Sequence, residues 1–311
     1  MKLSQAVDHY VTHKRDLGMT FHSTTRKLRA FCKRMGDINI DEVSDASVNS
    51  FIKGTGPVTS NLHRKVSALS GFYNYLLARE LVARSPVPTL LPKQPEPQRP
   101  HIYSREELRQ LLQAAGNQDD SWFIERSTMR ALLLLLYASA LRAGEAIRLT
   151  LEDVDLDQRL LMIRETKFHK SRLVPLGTDL IGVIRTYKES RSHRLNAQPD
   201  ASFLITRHGR PLTIQLAENT FRRLCISVGL RRVEGNRFWP RLHDLRHTFA
   251  VHRLIAWYRQ GADVQRLLPH LATYLGHVNI KHTQRYLTMT PELLGEASRQ
   301  FEKYASRETT T

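Results

Sequence analysis

The chain has 311 residues, 41% of them hydrophobic, with 47 Lys and Arg against 30 Asp and Glu and a formal net charge of +17. That length is more than one small core usually serves, so two domains are expected, and the ordinary hydrophobic content excludes wholesale disorder. The charge fits a merely soluble basic protein, but favours a polyanionic partner, because basic side chains release counterions from a phosphate backbone.

Residues 1–83 read as an all-helical domain. Val7, Tyr10, Val11 and Leu17 recur near helical spacing; Ser23 or Thr24 is placed to cap a second helix carrying Leu28, Phe31 and Met35, ended by Gly36. Ser44 caps a short third helix to about Lys53. A fourth runs to about Val82 behind the loop Gly54-Thr55-Gly56-Pro57, with Leu62, Val66, Leu69, Phe72, Tyr73, Leu76 and Leu77 as its apolar stripe. Arg26, Lys27, Arg29, Lys33 and Arg34 crowd the second helix, and His63, Arg64 and Lys65 open the fourth. Charge runs are usually solvated faces. Two of them on adjacent helices of a basic chain suggest a phosphate-gripping surface.

Residues 84–103 are a linker. Pro86, Pro88, Pro92, Pro95, Pro97 and Pro100 are six of the chain's 13 prolines, and that density favours a semi-rigid extended spacer, which could let two lobes close round a duplex. A second domain follows over 104–304, with a tail at 305–311. Ser104-Arg105-Glu106-Glu107 opens the domain as an N-cap with acidic residues in the first turn of a helix carrying Leu108, Leu111 and Leu112, and residues 122–139 form an apolar helix. Residues 160–166 and 171–176 suit paired strands round a turn with Lys167, His169 and Lys170, and 202–206 suits a third strand. Helices are expected at 178–193, 213–229, 243–260, 262–274 and 279–286. A last one, opened by Thr290-Pro291-Glu292, carries Leu293, Leu294, Ala297, Phe301 and Tyr304. The fold class expected is mainly α: an all-helical N-terminal domain plus an α+β domain with a small antiparallel sheet.

Cys32 and Cys225 are too few and too far apart for a metal motif or a disulfide framework, which points to a reducing cytoplasm. The N-terminus has no signal-like apolar run, and the stretch from Ala131 to Leu141 is too short to span a bilayer, so no membrane partner is expected.

The chemistry concentrates in 241–287. His243 and Arg246 are three apart and share a helix face; Tyr286 lies nine residues after His277. A phosphodiester under attack gathers negative charge on its non-bridging oxygens, and fixed arginines are suited to hold it because the guanidinium forks onto two oxygens and keeps its proton. Arg142 follows the apolar helix, with Glu145 placed to bind it, although that pair alone reads as an ordinary ion pair. Tyr286 is the candidate nucleophile. Its phenol, with an ordinary pKa of about 10, needs nearby cations or a base such as His243. Lys167 on the turn is a candidate general acid for the leaving 5′ oxygen, with Lys170 as competitor. His243 and His247 resemble half of a zinc motif, but no glutamate follows the first histidine and Arg246 would sit beside the dication, so no metal or other cofactor is assigned. His252, His270 and His282 are read as surface or packing residues.

On these residues the sequence resembles the tyrosine recombinases of the lambda-integrase type. The resemblance rests on His-Asp-Leu-Arg-His-Thr-Phe-Ala at 243–250, Leu-Gly-His at 275–277 and Thr-Gln-Arg-Tyr at 283–286. Ala-Leu-Arg-Ala-Gly-Glu-Ala at 140–146 and the Lys167 hairpin with Arg172-Leu173-Val174-Pro175-Leu176 complete it. It implies that residues 1–83 are the core-binding domain and 104–304 the catalytic domain. It also implies that Arg142 and Arg246 hold the scissile phosphate with His243 and His277, Lys167 protonates the leaving group, and Tyr286 forms a 3′-phosphotyrosyl link. Double-stranded DNA is the implied partner, bound by a homo-tetramer that exchanges C-terminal helices. The chain departs from the family in Ser139-Ala140, where a glycine is usual, and in a longer stretch between Arg246 and His277, which looks more like integrases and transposases of mobile elements. The alternatives are a catalytically silent DNA-binding regulator and a nicking enzyme of type IB topoisomerase character.

Overall fold

A computed structural model describes residues 1–56, 58–94, 99–117, 122–164, 171–192, 198–232 and 239–308. It divides into two compact units, Met1–Pro97 and Gln98–Thr311.

The first unit is helical: α1 (Leu3–Asp16), α2 (His22–Met35), α3 (Asp45–Lys53) and α4 (Ser60–Leu77). Their apolar stripes meet in one core, where Leu3, Leu28, Phe31, Val48, Phe72 and Leu76 are fully buried. Ser44 caps α3 by accepting the Ser47 N–H at 3.2 Å. Gly36 ends α2 at φ 83°, a left-handed conformation that costs glycine little. Two boundaries differ from the sequence reading. Helix α2 starts earlier, after Phe21 at φ 45°, so neither Ser23 nor Thr24 caps it; the Phe21 ring packs edge-on against Tyr10 with centroids 5.4 Å apart, and that packing outweighs the backbone preference. Helix α4 stops at Leu77, where Arg79, Glu80 and Leu81 turn back onto the carbonyls of Leu76 and Leu77.

The second unit begins with α5 (Arg105–Gly116), capped at Ser104 as expected; Glu107 makes the cap reciprocal, since Ser104 Oγ accepts the Glu107 N–H at 3.1 Å and the Ser104 N–H donates to Glu107 Oε2 at 2.7 Å. The apolar helix α6 (Arg126–Ala138) starts four residues later than expected; Met129, Ala131, Leu132, Leu135 and Leu136 are fully buried at the centre of the unit. Next come α7 (Ala143–Arg148) and strands β1 (Val154–Asp155), β2 (Leu160–Ile163) and β3 (Arg172–Pro175). These strands form a three-stranded antiparallel sheet in the order β1-β2-β3, with Leu161 opposite Val174 and Ile163 opposite Arg172. Alternation puts Leu161, Ile163 and Val174 into the core.

Residues 202–206 do not form the expected third strand. They make isolated bridges, Thr150 with Ser202 and Ile205 with Pro211, and the sheet is completed by β1 instead. The run is apolar because Phe203 and Leu204 are fully buried in the main core; burial and strand pairing share one composition signal.

The rest is helical: α8 (Thr178–Ser192), α9 (Ile214–Ser227), α10 (Leu242–Arg259), α11 (Val264–Leu275), the short α12 (Lys281–Gln284) continued by a 3-10 turn at Arg285–Thr288, and α13 (Pro291–Glu308). The helix expected over 279–286 is therefore two short pieces. Helix α13 lies along α10 of its own chain, with Leu293 fully buried and Arg259 bound to Glu292 and Glu296 at 2.8 Å each. No described helix is long and apolar enough to cross a membrane.

Truncating the central helix tests this packing: Leu132→Ala should cost about 2–5 kcal/mol of unfolding free energy by the lost transfer term and the cavity left behind, read from urea denaturation. A loss near zero would mean that α6 does not anchor the core.

Candidate active site

Five of the six sequence candidates for the chemistry fall among the described residues, and these five converge. Lys167, with its competitor Lys170, lies between β2 and β3 outside the described residues.

Arg246 is the hub. It projects from the second turn of α10, is 1% exposed, and donates Nη1 to the Ala140 carbonyl at 2.6 Å and Nη2 to the Leu275 carbonyl. Ala140 reaches that position at φ 52°, buried. A side chain strains this left-handed conformation and glycine does not, which accounts physically for the glycine usual at this place in the resembled family. Burial, with Arg142 nearby, draws the Arg246 guanidinium down to about 10, so it stays charged at neutral pH.

Arg142 precedes α7 and is partly exposed. Its Nη1 donates to Glu145 Oε1 at 2.7 Å, its backbone N–H to Glu145 Oε2 at 2.9 Å, and its Nη2 to the Gly276 carbonyl at 3.1 Å. Glu145 is more than a partner of Arg142, because Arg172 on β3 forks onto the same carboxylate with contacts of 3.1 and 2.8 Å. Burial alone would raise the Glu145 carboxyl; the bonds from Arg172 and Arg142 outweigh it and hold the group at about 2.

Gly276 ends α11 in the left-handed region at φ 64°. The Gly276 N–H bonds the Thr273 carbonyl and the His277 N–H the Ala272 carbonyl, each at 2.9 Å, a six-residue closure that turns the chain sharply. That turn presents the Leu275 and Gly276 carbonyls to the two arginines and sets His277 beside them. His277 Nδ1 is 2.7 Å from Thr283 Oγ1, and its ring stacks on Tyr286 with centroids 6.2 Å apart and planes at 18°.

Tyr286, in the 3-10 turn after α12, is 2% exposed. Its hydroxyl lies 3.0 Å from His247 Nδ1. His247 in turn meets His243 edge to face, with ring centroids 4.7 Å apart. Burial, the largest influence, raises the Tyr286 phenol; Arg246 and Arg142 oppose it. Burial and the nearby arginines hold His243 at about 4 and His277 at about 3, and burial with His243 holds His247 at about 3. The pocket therefore combines permanent guanidinium charge with imidazoles that are neutral at physiological pH.

Three participants were not singled out from sequence. His247 lies in the 243–250 signature and in half a zinc motif without a catalytic role; its place one turn after His243 on α10 is the available signal for a shared face. Arg172 stands in the hairpin signature and Thr283 in the 283–286 signature, each without a role.

Comparisons with known proteins agree with this architecture. The model of the phage integrase family matches residues 102–292. A putative integrase/recombinase, y4rB, of Sinorhizobium fredii is 36% identical over 304 residues, 96% of each chain. Tyrosine recombinase XerC of Staphylococcus saprophyticus is 29% identical over 83% of this chain and 81% of its own. Among solved structures, the Tn1549 transposon integrase in complex with transposon right end DNA superposes with a TM-score of 0.68 over 98% of this chain and 100% of its own, at 17% identity, a likeness of fold. Fold and relatives define a tyrosine-type DNA strand transferase. The chain belongs to the phage integrase family.

Neutral buried histidines make a stability prediction. Their ordinary value is 6.5 and their folded values are about 4, 3 and 3, so between those limits the unfolded chain binds more protons than the folded one. Stability is then full above the ordinary histidine value and falls as pH drops through that window. Glu145 has the opposite chemistry and adds its loss lower, between its ordinary 4.5 and about 2. Urea unfolding at fixed ionic strength should show stability rising from about pH 4 to about pH 7; a flat profile would contradict neutral imidazoles in the folded state.

Proposed function

We propose that this recombinase cuts and rejoins duplex DNA through a 3′-phosphotyrosyl link at Tyr286, serving the integration, excision or transposition of a mobile element. The observation that carries the reading is the convergence of Tyr286, His247, His277 and the Arg142–Arg246 pair in one cluster. In the proposed step the Tyr286 oxygen attacks phosphorus, the new P–O bond forms and the bond to the 5′ oxygen breaks. The phenolic proton passes to His247, whose Nδ1 stands 3.0 Å away, once the negative charge of the bound phosphodiester offsets the burial and neighbouring cations that lower the imidazole; His243 packs against its ring. Arg142 and Arg246 receive the charge that develops on the non-bridging oxygens. Each guanidinium has five N–H donors; Arg142 spends two on the contacts above, and Arg246 spends two on carbonyls and a further one on Tyr286, leaving donors for phosphate. Lys167 supplies the proton for the 5′ oxygen, as the resemblance implies. Because the phosphotyrosyl link conserves the energy of the broken phosphodiester, the reverse attack by a 5′ hydroxyl restores DNA and Tyr286 without an external energy source.

The site residues, the domain roles and the assembly belong to this proposal. A homo-tetramer on DNA is supported by Leu294 and Phe301, which stay exposed on α13 while Leu293 is buried; exchange of α13 between copies requires release of the Arg259 bonds to Glu292 and Glu296. The mobile-element role is supported by the long stretch of α10 and α11 between Arg246 and His277. A cytoplasmic location fits the two free thiols, of which buried Cys225 is pushed up to about 12.

The first unit is proposed as a second grip on DNA. Lys27, His63 and Arg64, with Ser23, Thr24 and Ser60, line an open groove of about 410 Å³ between the starts of α2 and α4. Burial lowers the Lys27 ammonium first, and the nearby Arg64 and Arg26 lower it further, a cluster of cations suited to a phosphate. Lys65 serves structure instead: its ammonium donates to the Phe51 carbonyl at 2.6 Å and lies 4.6 Å from the Phe51 ring centre.

Two measurements test the reading. With a nicked suicide duplex, the wild-type chain should accumulate a covalent protein–DNA band, with EDTA present, and Tyr286→Phe should lose the band while still binding. A band that persists in Tyr286→Phe removes that residue as nucleophile. A chain that binds its site and never links to it is the regulator, and relaxation of supercoiled plasmid without a specific site is topoisomerase behaviour. For the grip, binding should weaken steeply with salt, and Lys27→Ala or Arg64→Ala should each reduce the slope of log affinity against log salt by about 1; unchanged slopes would place the phosphate contacts elsewhere.

A further inference from the structure

We propose that Arg172 is a positioning residue for the phosphate site: by sharing the Glu145 carboxylate, it keeps Arg142 available as a cation. The inference rests on the reading that Arg142 and Arg246 hold the scissile phosphate.

The geometry is that of one carboxylate between two guanidiniums. Arg172 meets Glu145 end-on, Nη1 to Oε1 at 3.1 Å and Nη2 to Oε2 at 2.8 Å, while Arg142 meets only Oε1 through its side chain, at 2.7 Å. The Glu145 side chain is 3% exposed and that of Arg172 14%, against 37% for Arg142. The two partners therefore differ in purpose. Arg172 is the less exposed, bidentate counterion; Arg142 is the more exposed one, held to Glu145 by a single side-chain contact and to the Gly276 carbonyl by another, with its remaining donors free to turn outward.

Charge decides the consequence. Arg142, Arg172 and Arg246 stand against one buried carboxylate, a surplus of two positive charges facing an approaching phosphodiester. If Arg172 were neutral, the whole Glu145 charge would fall on Arg142, and the surplus would halve. A pentacoordinate phosphorus carries more negative charge than the ground state, so the loss would appear in the chemical step more than in binding. Neutralising Glu145 as well would restore the surplus.

The backbone is shaped to admit this residue. A Cβ on Gly276 would lie 3.0 Å from Arg172 Nη1, 3.1 Å from Cζ and 3.2 Å from Nε, so the guanidinium lies flat against the glycine, and the carbonyl of that same glycine accepts Arg142 Nη2 at 3.1 Å. Arg172 also opens β3, directly opposite Ile163, five residues after Lys167 in sequence. One side chain thereby fixes the end of the hairpin, the α7 carboxylate and the α11 turn to one another.

The test is single-turnover cleavage of the nicked suicide duplex by the full chain, with DNA affinity and thermal melting measured alongside. Arg172→Gln should slow formation of the covalent complex at least tenfold at saturating DNA while changing affinity less than threefold. Arg172→Lys, which keeps the charge but not the fork, should lose less. The double variant Arg172→Gln with Glu145→Gln should cleave faster than Arg172→Gln alone, a rescue that a purely structural role for Arg172 would not produce; if Arg172→Gln melts below the assay temperature, the double variant compared with Glu145→Gln alone and with Arg172→Lys gives the same reading. Wild-type cleavage by Arg172→Gln, a double variant no faster than the single, or equal losses in Arg172→Lys and Arg172→Gln overturns the inference. Failure of the wild-type chain to form any Tyr286-dependent link would instead overturn the underlying assignment of the site.

Discussion

Arg246 is almost completely withdrawn from water, and a charged side chain tolerates that only when its N–H groups are bonded. Its bonds run to the carbonyls of Ala140 and Leu275, residues far from it in sequence and carried by different segments. The guanidinium thus ties the start of α10 to the chain before α7 and to the end of α11. Around it the rest of the cluster is ordered: Ala140 accepts a left-handed backbone to present its carbonyl, and Gly276 makes the turn that presents the next one to Arg142.

Electrostatics in this cluster are asymmetric. The arginines remain charged because guanidinium is a very weak acid, even where burial brings Arg246 down to about 10. The imidazoles respond oppositely: burial and the same cations keep His243, His247 and His277 neutral. Tyr286 remains a protonated phenol beside a neutral base, since burial raises it more than the arginines lower it. A single environment therefore separates fixed positive charge from proton-accepting groups, a separation that phosphoryl transfer by a phenol requires.

Much of the fold was readable where local chemistry acts alone. Ser44 and Ser104 cap helices because a hydroxyl can satisfy an orphan N–H, and the alternation of Leu161 and Ile163 marks β2. The misreadings share one cause, tertiary packing overriding a local signal. Phe21 starts α2 in place of the serine and threonine because its ring has Tyr10 to pack on, and Phe203 and Leu204 are apolar for burial and not for a sheet. At the site, the candidate arginines, histidines and tyrosine and their order along the chain could be read from sequence. The shared use of Glu145 by Arg142 and Arg172, and the contact of His247 with Tyr286, could not, because these partners come from separate elements.

By itself the sequence determined the helical periodicity, most of the caps, the basic balance and which arginines, histidines and tyrosine were candidates for a phosphate site; these follow from side-chain chemistry and spacing within a few residues. Only the tertiary structure decided which histidine meets the phenol, which arginine neutralises the buried carboxylate and which carbonyls hold Arg246. Those are matters of distance between segments, and the distance is set by how α6, α10 and α11 pack, which no local run of residues encodes.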